Sequence, residues 1–424
     1  MVVSRRWTGP FPILALLLLA CSSGDDDDAP RTISLEFCPG DAPTWMAQQD
    51  GSTGPWQRVP PSSATRWDFA FASDRGGIAR VYAHGTGSLL EILLASTDEL
   101  ARVADFVASQ SGCNGSRSEV EATIAGVAEE QIAIVSLGGI TAWATEGPLP
   151  LTDVLNGTWP LVAVRANWRE SGWLAERIIL RRGISVPGTG VLSPAIDFDN
   201  AESFAAATAN LTVTSLDGEA DVTTSFRAND GTSSTLSTLR MSPASNAGTY
   251  GAIPVGNLDT GELQQFGIAT YAASGVQITY AHFRAVADRS VDVGPALATP
   301  TIDHVATTPN LRPRVLLAMQ AQYNRAVWAR FQQSAPHHVS IEATRAYLGN
   351  PSSWVVEVPD FSGVDGWDVG WGLDPAQQYS WHVFGFGGTW DWYDEPVDGS
   401  IGQVASIRQP QSMAQDVASR PFSR

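Results

Sequence analysis

From Ile33 onward, apolar residues recur in short runs of alternating character, and Gly, Pro, Asp and Asn break the runs. Side chains on a strand point to opposite faces in turn, so this pattern predicts half-buried strands joined by turns. Thr44–Gln49 and Trp56–Val59 flank Asp-Gly-Ser-Thr-Gly and predict a hairpin. Arg66–Ala72 places Trp67, Phe69 and Phe71 on one face, and Ile78–His84 follows; together these runs predict a four-strand meander. One helix is expected near 97–110. Ser96-Thr-Asp-Glu99 has the form of a capping box, and Leu100, Val103, Phe106 and Val107 follow at helical spacing.

The alternation continues to residue 408. Val120, Ala122 and Ile124 are followed by Ile132–Leu137 and Gly138-Gly139, then by Leu161–Val164 and Ile178–Leu180. Further on come Leu211/Val213, Phe266/Ile268/Thr270 and Val276/Ile278/Tyr280, with a Ser-, Thr- and Asn-rich stretch at 228–248 that predicts a long loop. Arg314–Gln333 fits either a helix or a hairpin turning near Asn324, and its β-rich surroundings favour the hairpin. Trp354/Val356/Val358 and Trp381/Val383 complete a region expected to form a fibronectin-type or immunoglobulin-type sandwich. The fold class is therefore mainly β: tandem antiparallel β-sandwich modules, one short helix and a disordered acidic N-terminal tether.

The first 31 residues have a different character. Arg5 and Arg6 precede an apolar run from Phe11 to Ala20 that is too short to span a bilayer, and Leu-Leu-Ala-Cys at 18–21 leads into Ser-Ser-Gly and Asp25 to Asp28. This segment resembles the lipobox of bacterial lipoproteins. The resemblance implies cleavage before Cys21, acylation of its thiol and, with Ser22 following, sorting to the outer membrane, facing the periplasm or the cell surface. The acidic run then serves as a self-repelling spacer. Residues 118–182 resemble the carboxypeptidase-regulatory-like (transthyretin-type) module, which implies a structural or interaction unit without catalytic residues. The expected organisation is a signal peptide at 1–20, a tether at 21–31, and β domains at 32–117, 118–200, 201–300 and 301–408, ending in a disordered tail at 409–424.

Charge and cysteine content narrow the chemistry. The net charge is −18 over 424 residues, and every basic residue other than histidine is arginine. A chain without lysine has no Schiff-base lysine, no phosphate-loop lysine and no Ser-x-x-Lys nucleophile pair. The acidic balance and the lack of a basic tract argue against nucleic-acid binding. They argue equally against electrostatic docking on anionic lipid, which leaves the acyl chains on Cys21 as the expected membrane attachment. Cys38 and Cys113 remain. In an oxidising compartment they are expected to pair, closing a loop of about 75 residues worth about 4.5 kcal/mol in the chain-entropy model; two buried thiols are the alternative.

Candidate sites are few. The six histidines include one adjacent pair, His337-His338, whose side chains point to opposite faces of a strand, so no metal site and no cofactor are expected. Asp197, Asp199 and Glu202 form one acidic cluster; Asp391, Asp394 and Glu395 form another. Either could supply a carboxylate pair to a polysaccharide-directed hydrolase. The richest feature is aromatic: Trp367, Trp371, Trp390 and Trp392 sit in Gly/Asp-rich sequence and are candidates to bind a carbohydrate or protein ligand. The sequence reads as a membrane-anchored, non-enzymatic binding or structural lipoprotein, with the secreted hydrolase as the alternative.

Overall fold

A computed structural model describes residues 30–85, 87–110, 116–186, 190–272, 275–333, 337–349, 351–390 and 395–409. The signal segment, Cys21, the acidic tether, Cys113, Asp391, Trp392, Asp394 and the tail from 410 lie outside the described residues. The fold is mainly β, and its strands fall into four successive groups.

The first group comprises β1 (Arg31–Glu36), β2 (Trp45–Asp50), β3 (Trp56–Arg58), β4 (Arg66–Phe71), β5 (Arg75–His84) and β6 (Gly87–Ser96), followed by α1 (Thr97–Gln110). The second comprises β7 (Arg117–Ala125), β8 (Gln131–Leu137), β9 (Ile140–Ala144), β10 (Gly147–Leu155), β11 (Gly157–Arg169) and β12 (Gly172–Val186), with short strands β13 (Gly190–Val191), β14 (Ile196–Asp197) and β15 (Phe204–Ala205) after it. The third comprises β16 (Ala207–Thr214), β17 (Ala220–Arg227), β18 (Ser233–Met241), β19 (Ala247–Ala252), β20 (Leu263–Ala272), β21 (Gly275–Phe283) and β22 (Arg289–Asp292). The fourth comprises β23 (Thr301–Ala306), β24 (Arg312–Ala318), β25 (Ala326–Gln333), β26 (His337–Thr344), β27 (Ser353–Glu357), β28 (Tyr379–Gly388) and β29 (Ile401–Arg408).

A six-strand scheme recurs in all four groups. Two strands pair antiparallel as a cover: β1 with β4, β7 with β10, β16 with β19, and β24 with β27. The other four form a layer of constant order: β3-β2-β5-β6, β9-β8-β11-β12, β18-β17-β20-β21 and β26-β25-β28-β29. The fourth group adds β23 beside β24, giving three strands over four. In the second and third groups the added cover strands, β13 with β14 and β22, run parallel to β7 and β16.

The four layers fuse edge to edge into one sheet of 17 strands. β6 pairs parallel with β26, His337 opposite Ser88 through Ala343 opposite Leu94. β29 pairs antiparallel with β21, and β12 meets β18 through Gly172 and Trp173. The spatial order of the groups is therefore first, fourth, third, second. Each joint covers backbone N–H and C=O groups that an open edge would leave unpaired.

Two of these joints require glycine. A Cβ on Gly275 would lie 1.7 Å from Ser406 O, and one on Gly172, at φ +139°, would lie 2.2 Å from Thr238 O.

The first layer is buried on both faces. Trp45, Leu90 and Ile92 enter a core with Phe331, Ile341 and Trp354 of the fourth group, while Met46, Ile78 and Ala95 pack under Phe69, Phe71 and Leu100. The capping box of α1 is present: Ser96 N–H donates to Glu99 Oε2 at 2.8 Å, and Glu99 N–H donates to Ser96 Oγ at 3.3 Å.

Three local expectations are corrected. β4 leaves the expected meander to pair with β1, because Trp67, Phe69 and Phe71 fill the core on the other side of the layer. β24 and β25 are strands but not a hairpin, since they belong to opposite sheets of one sandwich. Residues 228–248 are not a loop throughout: β18 runs through them and buries Ser234, Leu236, Ser237, Leu239 and Met241, with Ser237 Oγ donating to Gly251 O at 3.2 Å. Ser237 is tolerated in the core there because its hydroxyl finds backbone partners.

If the joint between β21 and β29 depends on close approach, Gly275→Ala should destabilise the protein by about 1–3 kcal/mol. Gly190→Ala, where an added Cβ meets nothing within 4 Å, should be neutral. Urea denaturation of both variants checks this.

Candidate functional site

The tryptophans expected to bind ligand occupy separate places. Trp367 and Trp371 lie in the segment between β27 and β28, which folds over the first layer. Their rings meet edge to face at 5.6 Å, and Trp367 packs on Trp45 at 5.2 Å and Phe361 at 5.0 Å. Trp45 Nε1 donates to Asp365 O at 3.1 Å, and Arg58 pairs with the Asp365 carboxylate at 3.0 Å. This aromatic cluster thus ties the first group to the fourth. The cavity beside it, lined by Trp367, Arg312 and Asp360 among others, measures about 10 Å³, enough for one water and too small for a sugar ring.

Trp390 is 3% exposed and meets His282 edge to face at 5.1 Å. His282 Nδ1 lies 3.2 Å from Ser400 Oγ, so folding does bring a serine and a histidine together. Both are buried, and Ser400 Oγ also accepts the Val397 N–H at 3.2 Å. Burial, with the nearby Arg227 guanidinium, holds His282 down to about 4, so it is neutral near pH 7. His337 and Ser88 form a second pair at 2.9 Å. Ser88 gives its proton to Trp371 O at 3.0 Å and therefore accepts from His337, the wrong direction for histidine to activate it as a nucleophile.

Three of the four described cluster carboxylates are engaged in ion pairs. Glu202 is held by Arg181, and Asp199 lies 3.3 Å from Arg165. Asp197 accepts the Asp199 N–H at 3.0 Å. In the second cluster, Glu395 pairs with the buried Arg227 at 3.1 Å.

A different surface gathers groups that the sequence reading did not single out. On the face of the fourth layer opposite the shared core, the register sets Trp328 of β25 beside Phe384 of β28, and Arg330 beside His382. His382 in turn lies opposite Arg408 of β29. Trp328 and Phe384 stack at 4.7 Å with 25° between planes, His382 lies 4.1 Å from Phe384, and the Arg330 guanidinium sits 5.3 Å from the Trp328 ring. Alongside them on the same face Ala326, Phe386 and Val404 form a small apolar cluster drawn from the sheet itself. Burial, with Arg330 and Arg408 on either side, holds His382 down to about 4. The available signal was the alternation itself: Val327, Ala329 and Phe331 define the core face of β25, so Trp328 and Arg330 must share the other.

The chain matches no protein-family model and no curated protein.

A buried histidine with a depressed folded pKa makes stability depend on pH. The unfolded chain takes up the proton first, so the His282 contribution is complete above about pH 6.5 and is lost as pH falls toward about 4. The loss amounts to on the order of 3 kcal/mol. His282→Gln should flatten that part of the profile, as measured by urea midpoints between pH 7 and 4.

Proposed function

We propose that this protein is a lipid-anchored, extracytoplasmic binding protein, attached through Cys21 and held near an outer-membrane surface by its acidic spacer. The observation that carries the binding reading is the aromatic and basic face of Trp328, Phe384, Arg330 and Arg408, which no described cover sheet overlies. Supporting it, the His282–Ser400 pair is buried, Ser88 donates to a backbone carbonyl, and Asp199, Glu202 and Glu395 are ion-paired. Among the described residues no helix is long and apolar enough to cross a membrane. We further propose that Cys38, buried just after β1, pairs with Cys113 and fixes the chain beyond α1 to the first sandwich. Support comes from α1 itself, which is tied to β1 by an ion pair between Arg31 and Asp98.

Cys21→Ala should move the protein from the membrane to the soluble fraction without changing its circular dichroism; unchanged partitioning would rule out the anchor. Non-reducing peptide mapping should recover residues 38 and 113 in one linked peptide, and recovery as two free thiols would rule out the bridge.

A further inference from the structure

The fourth layer is covered on one face by β23, β24 and β27, whereas its other face carries a strip of side chains with no covering element among the described residues. Arg330, His382 and Arg408 run across three adjacent strands, β25, β28 and β29. With strands about 4.8 Å apart, the two arginines stand about 10 Å from one another, comparable to the length of a disaccharide. Neither has an ion-pair partner among the described residues, in a chain whose net charge is −18. The carboxylates on this face lie toward β6: Glu91, held by Arg80 at 2.7 Å, and Glu342, opposite Trp328. One register step from the arginines lie Trp328 and Phe384.

We propose that this strip binds an acidic polysaccharide, with Arg330 and Arg408 each receiving a carboxylate or sulfate and Trp328 with Phe384 forming the apolar floor. The ring geometry favours an anion over a neutral sugar. Phe384 already packs on Trp328 and His382, and Trp328 on the Arg330 guanidinium, so less ring face is left to stack on a sugar and the guanidinium charge is what remains to be matched. A peptide is disfavoured because β25, β28 and β29 are each paired on both sides and have no open backbone edge to receive another strand. Regularly spaced anionic groups on a stiff polymer suit guanidinium forks fixed on a rigid sheet.

This inference rests on the binding-protein reading, and its test separates the two. The mature full-length chain is titrated with polygalacturonate, dextran, poly-aspartate and phosphatidylglycerol vesicles. Polygalacturonate should bind, weakening severalfold between roughly 50 and 200 mM salt. Arg330→Gln with Arg408→Gln should raise its Kd about tenfold or more at an unchanged melting temperature. Arg240→Gln, at an exposed arginine outside the strip, should bind like the parent. Failure of the parent to bind polygalacturonate, equal binding of dextran, tighter binding of poly-aspartate, binding of vesicles alone, or an unaltered double variant would each overturn the assignment. Shortening of the polygalacturonate by the parent protein would instead overturn the binding-protein reading while leaving the strip as the place of contact.

Discussion

An open sheet edge is a row of unmatched donors and acceptors, and covering such edges organises this molecule. Each four-strand layer has two edges, and the fold spends three of its joints on six of the eight. Those remaining are β3, only three residues long, and β9, where Trp143 is 39% exposed. Without the joints, four small sandwiches would each present flat edges to solvent, the arrangement that invites association with other chains. With them, the hydrogen-bonded ladder itself connects the groups, and the Trp45, Phe361, Trp367 and Trp371 cluster reinforces the first joint from one side.

The same constraint accounts for where polar chemistry sits. Strands buried on both faces, such as β2 with Trp45, Met46 and Ala47 all buried, leave little room for reactive side chains. Some polar groups that enter the interior are committed to neighbours, as Gln264 holds Ile253 N–H and C=O and Arg182 holds the buried Glu262 carboxylate, whereas Thr279 Oγ1 and Trp354 Nε1 find no partner among the described residues. Two exposed arginines without an ion-pair partner among the described residues, Arg330 and Arg408, stand on a layer face that no described sheet covers, where they bracket His382.

Period-two alternation made the strands legible, because burial on one face writes itself into every second residue, as in β7 with Val120, Ala122 and Ile124. The capping box located α1 for an equally local reason. Pairing was less legible. Nothing in Arg66–Phe71 says that it partners β1 rather than a neighbour in the hairpin series, since that choice depends on which core Trp67 and Phe69 fill. The fourfold recurrence of strand order was hidden too, because backbone pairing preserves it while the side chains differ from group to group. Tryptophans dense in sequence, at 367 and 371, turned out to be mutual packing partners, whereas Trp328 and Phe384, far apart in the chain, became neighbours through register alone.

The order of the joints also bears on how the chain matures. The outer edge of β6 finds its partner only once β26 has emerged, about 250 residues later in the chain. During that interval the nascent first sandwich has an unsatisfied flank carrying Leu90, Ile92 and Leu94, residues that end in the joint core. A truncated product ending before His337 would keep that flank permanently, making incomplete chains sticky and easy for quality control to distinguish from finished ones.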